Sequence, residues 1–148
     1  MAYEQLKLEN QLCFPVYAAS RLITREYQPF LDKLEITYPQ YLVLMVLWEK
    51  DSLSVNEITE KLILNTNTIT PILKRMEAQG IITRKRSEED ERRVIITLTP
   101  KGKQLQSEAS SIPEKLVERL VSEKVSLEEL KILKDQLYKI IDLLNPVT

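Results

Sequence analysis

The apolar residues of this chain change their period once, at Gly80, and no other feature constrains the fold as tightly. Ahead of that glycine the spacing is helical. Ser54-Val55-Asn56-Glu57 is a capping-box pattern, with Ser54 as N-cap and Glu57 at N3. Val55, Ile58 and Leu62 then give a short helix one apolar stripe. Asn65 offers a new N-cap and Gly80 a C-terminal stop, so helices are expected over 54–62 and 66–79, joined by a short turn as in a helix-turn-helix. Beyond Gly80 the period is two. Ile82-Thr83-Arg84-Lys85-Arg86 is a candidate strand, and Arg93-Val94-Ile95-Ile96-Thr97-Leu98 is rich in β-branched residues. The polar stretch Ser87–Arg92 between them predicts a hairpin, basic on its first strand and charged at its tip: a wing. Thr99-Pro100 restarts a helix, with an N-cap followed by proline at N1.

The flanking segments are helical in pattern. Residues 6–34 carry Leu12, Val16, Ile23, Tyr27, Phe30 and Leu34 at three- and four-residue spacings, with Pro15 and Pro29 expected to kink or break the helix. Residues 38–50 are apolar on nearly all sides, the mark of a buried helix. A break is expected near Ser110-Ser111-Ile112-Pro113, and Ser126-Leu127-Glu128-Glu129 is a second capping box. From there Leu130, Leu133, Leu137, Ile140 and Leu144 form a three-four seam that wants a partner helix, in its own domain or in a second copy. The expected class is mainly α with a small β-hairpin wing, a winged helix-turn-helix in a single domain of 148 residues.

Composition removes whole classes of chemistry. With no histidine, imidazole bases and His-ligated metals are excluded; with two glycines, Gly80 and Gly102, so are the Gly-rich nucleotide loops. The lone Cys13 allows neither an internal disulfide nor a Cys-cluster zinc site, so no metal and no cofactor are expected. The N-terminus lacks the apolar core of a signal peptide, and the longest apolar run, Tyr41 to Trp48, falls far short of the ~20 residues that span a bilayer; a cytoplasmic protein with no membrane partner is expected. The net charge is only −1, yet residues 65–103 carry +4 between flanks of −3 and −2. Binding to phosphates depends on that local field rather than on the total.

At 100° per residue, Ile69, Ile72, Leu73 and Met76 gather on one side of the 66–79 helix. Asn67, Thr70, Pro71 and Lys74 gather on the other. Those groups suit a major groove: Asn reads adenine, Lys reaches guanine or phosphate, and Thr or Pro contacts a thymine methyl. A solvated amphipathic helix would show the same pattern, and the wing that follows favours the groove. Pro71 lies past the first turn of a helix starting at Thr66, at a cost of up to ~3 kcal/mol. Either that helix is long with a distorted first turn, which is the expectation, or Thr70 and Pro71 are N-cap and N1 of a shorter one. On the wing, Arg84, Lys85 and Arg86 can meet phosphates, and Arg92, oriented by Asp90, can enter a narrow minor groove. The acids Glu88 to Glu91 fit that role only if they point away; otherwise they simply solvate the loop. The candidate DNA-contacting set is Asn65, Thr66, Asn67, Thr68, Thr70, Pro71, Lys74, Arg75, Arg84, Lys85, Arg86, Asp90 and Arg92.

Cys13, beside Phe14 and one turn before Tyr17, reads most simply as a small buried hydrophobe. A role as a nucleophile toward peroxide would need a stabilised thiolate, and no Lys, Arg or His is close in sequence to provide it.

Taken together, the order of elements resembles the MarR family of dimeric winged-helix regulators over essentially the whole chain. Asp90-Glu91-Arg92-Arg93 followed by Leu98-Thr99-Pro100-Lys101-Gly102 matches that family's most specific motif. Asn10-Gln11-Leu12-Cys13-Phe14, with Tyr17, Tyr27 and Thr37-Tyr38-Pro39-Gln40-Tyr41, is similar to its single-cysteine, peroxide-sensing branch typified by OhrR. The resemblance implies a homodimer whose dimerisation helices (1–36 and 104–148) flank a DNA-binding region (37–103), with two winged helices reading pseudo-palindromic double-stranded DNA. It implies a regulator rather than an enzyme, controlling virulence, stress-response and antibiotic-tolerance genes. It further implies that Cys13 senses peroxides, with Tyr27 and Tyr38 of the other subunit as phenol donors and Tyr17 as a secondary candidate. With no second cysteine, a low-molecular-weight thiol would resolve the sulfenic acid as a mixed disulfide. A regulator switched by a small apolar or phenolic ligand, a thiol peroxidase and a helical interaction module that binds no DNA remain as alternatives.

Overall fold

The computed structural model describes residues 3–146, which divide into two compact units meeting at Ser110 and Ser111. The first unit opens with two single turns of 3-10 helix, Glu4–Leu6 and Leu8–Asn10, followed by α1 (Cys13–Glu26), α2 (Gln28–Lys33) and α3 (Tyr38–Glu49). Then come β1 (Leu53–Ser54), α4 (Val55–Leu62), α5 (Thr66–Ala78), β2 (Ile82–Arg86), β3 (Val94–Leu98) and α6 (Pro100–Ala109). The second unit holds α7 (Ile112–Leu120) and α8 (Leu127–Leu144).

Local capping sets most of these starts. Ser54 and Glu57 complete the expected box, with the Glu57 amide donating to Ser54 Oγ (3.1 Å) and the Ser54 amide to Glu57 Oε2 (3.2 Å). Asn65 caps α5 by accepting from the Thr68 amide at 2.8 Å. Thr99 caps α6, with Pro100 in the first turn. At Ser126 only half of the expected box forms, the Glu129 amide donating to Ser126 Oγ at 3.1 Å.

The N-terminal expectation needs correction. No continuous helix runs from residue 6; α1 begins at Cys13, and the short turns before it are tied by Asn10 Nδ2 to the Glu4 carbonyl (2.7 Å) and Gln11 Nε2 to the Gln5 carbonyl (2.8 Å). Pro15 therefore lies in the first turn of α1, where a missing N–H is harmless, instead of kinking it. The break falls at Tyr27, and Pro29 sits at the start of α2.

The core of this unit is built around α3, with Tyr41, Val43, Leu44 and Leu47 buried, and meets Ile58 of α4 and Ile69, Leu73 and Met76 of α5. The sheet has three antiparallel strands in the order β1-β3-β2, one more than the hairpin expected. Leu53 pairs with Ile96 and Ser54 with Ile95, while Arg84, Lys85 and Arg86 of β2 lie opposite Ile96, Ile95 and Val94. A two-residue strand leaves no alternation to read. In α8 no residue is buried, and the seam residues Leu133, Ile140 and Leu144 are exposed with Ile132, Tyr138 and Leu143.

Candidate DNA interface and thiol site

The recognition helix α5 is continuous through Pro71, so the longer of the two expected helices is the one formed. The proline ring withholds the donor that Asn67's carbonyl would otherwise receive. One residue earlier, Thr70 Oγ1 donates to the Thr66 carbonyl at 2.8 Å, so its hydroxyl hydrogen is used inside the helix. Ile69, Leu73 and Met76 are fully buried, and Ile72 is partly so. Thr66, Asn67, Thr68, Pro71, Lys74 and Arg75 are exposed, leaving an amide, an apolar ring and two cations on the outer surface. Asn65 is also exposed, although its carbonyl oxygen is committed to the cap.

At the wing tip, Asp90 Oδ1 accepts from the Arg92 amide (3.1 Å) and from Arg92 Nε (3.4 Å), while the Arg92 side chain is 93% exposed. The tip is closed by the Ser87 amide donating to the Arg93 carbonyl (2.7 Å) and the Arg93 amide to the Asp90 carbonyl (2.9 Å). Arg86 Nη1 donates to the Glu91 carbonyl (2.8 Å), and Arg93 pairs with Glu57 of α4 (3.1 Å). Arg84 differs from its neighbours. Its amide and guanidinium both reach Glu77 of α5, at 3.2 and 3.6 Å, so it fastens the wing to the recognition helix. Its Nε is buried without an acceptor, beside a cavity of about 190 Å³ lined by Ser54, Asn56, Thr66, Thr70, Arg84 and Arg92. A guanidinium nitrogen without an acceptor, in a cleft between two helix starts and the wing, suits a phosphate oxygen. Lys85 and Arg86 are exposed.

The segment after the wing locks this assembly. The Thr99 hydroxyl reaches the Gly80 and Ile81 carbonyls (2.6 and 2.9 Å), and Lys101 Nζ donates to the Gln79 carbonyl (2.9 Å). A Cβ on Gly102 would collide with the Ile81 carbonyl oxygen, so only glycine lets α6 approach the segment leading into β2 this closely. Trp48 Nε1 donates to the Gly102 carbonyl at 3.0 Å.

The tyrosines form a cluster of their own. Tyr27 and Tyr38 lie 4.9 Å apart between ring centroids, Tyr41 is 5.8 and 6.2 Å from each, and Trp48 is 6.3 Å from Tyr41. Burial, then the neighbouring Tyr38 and Tyr41 phenols, pushes Tyr27 up to about 12; burial also raises Tyr38 and Tyr41. These phenols stay protonated and able to donate. Cys13 is elsewhere. It occupies the first position of α1, whose N-cap residue Leu12 makes no side-chain bond, and it is exposed rather than a buried hydrophobe. Tyr27 closes the far end of that helix, about 20 Å away at 1.5 Å per residue. Tyr17 is exposed under the Arg21 guanidinium (4.8 Å to the ring centroid). Within one chain the structure brings Tyr27 and Tyr38 together but leaves Cys13 apart from them.

Three polar residues whose contacts the sequence did not anticipate complete this region. Thr37 and Gln40 form a capping box at the start of α3, and Gln40 Nε2 donates to Gln79 Oε1 at 3.0 Å. The Thr37-x-x-Gln40 spacing was a legible signal for the box; nothing local pointed to Gln79.

A family model described as transcriptional regulator SarA/Rot matches residues 25–109. The chain belongs to the SarA/Rot family of transcriptional regulators. It is 53% identical over 143 residues to the organic hydroperoxide resistance transcriptional regulator of Bacillus subtilis, covering 97% of this chain and 95% of that one. Among solved structures it is similar to reduced AbfR bound to DNA, with a TM-score of 0.78, 38% identity and coverage of 97% and 99%; AbfR is a protein of Staphylococcus epidermidis. Disulfide-formed AbfR matches at a TM-score of 0.64 and 40% identity, covering 95% and 94%. This SarA/Rot chain is a winged-helix transcriptional regulator of MarR type, as its motif order implied. Among the described residues no helix is long and apolar enough to cross a membrane.

Proposed function

We propose that this SarA/Rot regulator is a cytoplasmic homodimer that binds pseudo-palindromic duplex DNA through α5 and the wing and is switched by oxidation of Cys13. The observation that carries the DNA half is the division of α5: Ile69, Leu73 and Met76 are buried while Asn67, Pro71 and Lys74 stand exposed, with Arg92 held outward by Asp90 one wing away. Asn67, Pro71 and Lys74 enter the major groove, Thr70 offers its remaining lone pairs, and Arg92 enters the adjacent minor groove. Thr66, Thr68, Arg75, Lys85 and Arg86 serve backbone phosphates, and Asn65 acts through the cap.

The redox half rests on the separation of Cys13 from the phenols. Because α1 holds them about 20 Å apart, Tyr27 and Tyr38 can serve a thiolate only across a two-fold axis, from one subunit to the other. The exposed apolar residues Leu12, Phe14, Val16 and Leu22 of the first unit, and separately the unburied seam of α8 in the second, are faces such a dimer covers. The thiolate attacks an organic hydroperoxide: the S–O bond forms, the O–O bond breaks, and the alcohol leaves with the proton. A small thiol then condenses with the sulfenic acid, forming the mixed disulfide and water, and a second thiol restores Cys13 while leaving as its own disulfide. One oxidation event gives one change of state, held until a thiol resets Cys13, which is the behaviour of a sensor. The names of the relatives, an organic hydroperoxide resistance regulator and an AbfR seen both reduced on DNA and disulfide-formed, support this assignment.

A ligand-switched reading has one observation in its favour, a cavity of about 360 Å³ beside Tyr38 with Arg21, Arg25 and Thr24 in its wall. Cys13→Ser separates the two. The thiol switch predicts DNA binding at the reduced level that cumene hydroperoxide with a small thiol no longer weakens. Unchanged oxidant sensitivity in this variant would contradict it.

A further inference from the structure

We propose that Gln79 is the positioning residue that couples the phenol site to the recognition helix, an inference that rests on the thiol-switch reading above. Tyr27 stands between α1 and α2, and Tyr38 is the first residue of α3. A group driven between those rings therefore changes the angle between α2 and α3. The two helices meet in the turn 34–37, where Glu35 is left-handed at φ 57°. That conformation is unfavourable for a residue with a Cβ, and the turn keeps it because its neighbours impose it.

Gln79 bonds at once to the hinge itself and to the helix that follows it. Its Nε2 donates to the Glu35 carbonyl at 3.0 Å, and its Oε1 accepts from Gln40 Nε2 at 3.0 Å. Gln40 cannot yield independently, because it is buried and its Oε1 accepts from the Thr37 amide at 3.1 Å. On the other side, Gln79 is the C-cap of α5. Its amide donates to the Arg75 carbonyl (2.9 Å), and its own carbonyl accepts from Lys101 (2.9 Å). Gly80, at φ 76°, then turns the chain into β2. One side-chain amide thus spans hinge and DNA-reading unit. Opening the hinge must break one of its two bonds or drag the end of α5, which re-aims the helix and the wing attached to it through Arg84 and Glu77. A second route leaves the cluster through Tyr41 and Trp48, but it ends on Gly102 of α6.

The test compares duplex-DNA dissociation constants before and after stoichiometric cumene hydroperoxide plus free cysteine, in full-length wild type, Gln79→Ala, Gln79→Met and Trp48→Phe. Gln79→Met keeps the side-chain volume while deleting both hydrogen bonds, so it remains informative if the alanine variant folds poorly. The expected result is that both Gln79 variants lower the oxidised-to-reduced ratio by about fivefold or more, while the rate of Cys13 thiol loss and the reduced-state affinity stay near wild type. A purely structural role for Gln79 would lower affinity in both states and leave the ratio alone; that result overturns the proposal. So does a ratio lost in Trp48→Phe and kept in Gln79→Met. A wild type whose DNA binding ignores oxidation refutes the thiol switch itself, and is thereby distinct from a failure of Gln79 alone.

Discussion

Replacing Pro71 by alanine tests the geometry of the recognition helix through the sign of a stability change. Pro71 lies inside α5, five residues beyond its first residue Thr66. Alanine there would give Asn67's carbonyl its missing donor and remove the ring from the preceding turn. The full penalty for an interior proline is about 3 kcal/mol. Here it is reduced because Asn67 is exposed and its carbonyl is free to bond water, and because Thr70 already satisfies the Thr66 carbonyl. A recoverable term of about 1–2 kcal/mol remains, close to one hydrogen bond plus relieved crowding. Against it, losing proline frees the unfolded chain by about 0.4–1 kcal/mol. The balance favours alanine by roughly 1 kcal/mol, which at about 2–4 °C per kcal/mol for a chain of this size raises the melting midpoint by about 3 °C. Circular dichroism at 222 nm, at one fixed protein concentration, reads it. If Pro71 were instead the first residue of a shorter helix, its ring would be preorganised and alanine would be neutral or destabilising. An unchanged or lower midpoint would refute the continuous helix.

Arg92→Ala should weaken operator binding about tenfold and reduce the slope of log affinity against log salt by about one; a smaller loss with an unchanged slope would place Arg92 off the DNA. Alkaline stability should report the phenol cluster. An unfolded phenol ionises near 10 and folded Tyr27 near about 12, so its contribution is fully present below pH 10 and is lost as pH rises from 10 to 12. Urea midpoints of wild type should therefore fall more steeply across that window than those of Tyr27→Phe, and equal slopes would contradict the burial of this phenol. Mixed dimers test the cross-subunit site. A Cys13→Ser subunit paired with a Tyr27→Phe/Tyr38→Phe subunit retains one complete site only if the phenols act in trans, so its single thiol should react with hydroperoxide at the wild-type rate. A slow thiol in that mixed dimer would place the phenols in cis.

Much of the DNA-binding half was legible because its signals are local. Ser54, Asn65 and Thr99 announce helix starts by bonding backbone amides three residues on, a relation that sequence spacing displays directly. The alternation in β2 and the buried stripe of α5 follow from single-element periodicity. The N-terminal segment was misjudged because apolar spacing continues from Leu6 through Leu12 while the backbone does not; side-chain amides of Asn10 and Gln11 hold short turns there instead. Arg84 looked like one of three equivalent cations, and only the fold shows it turned onto Glu77. Gln40 and Gln79 lie 39 residues apart, and neutral amides leave no trace in hydropathy or charge patterning. The proposed thiol site was the least legible by physics alone. The single chain separates Cys13 from Tyr27 by the length of α1, and the resemblance of the flanking motifs, not periodicity, joined them.

The central claim is that one thiol controls the DNA affinity of a winged-helix dimer. Its most direct test is fluorescence anisotropy of wild-type protein on a palindromic operator duplex, titrated reduced, after one equivalent of organic hydroperoxide with a small thiol, and again after dithiothreitol. The account predicts tight, salt-dependent binding, its loss on oxidation in step with the disappearance of the Cys13 thiol, and full recovery with reductant. Affinity that stays constant while Cys13 is consumed would contradict it.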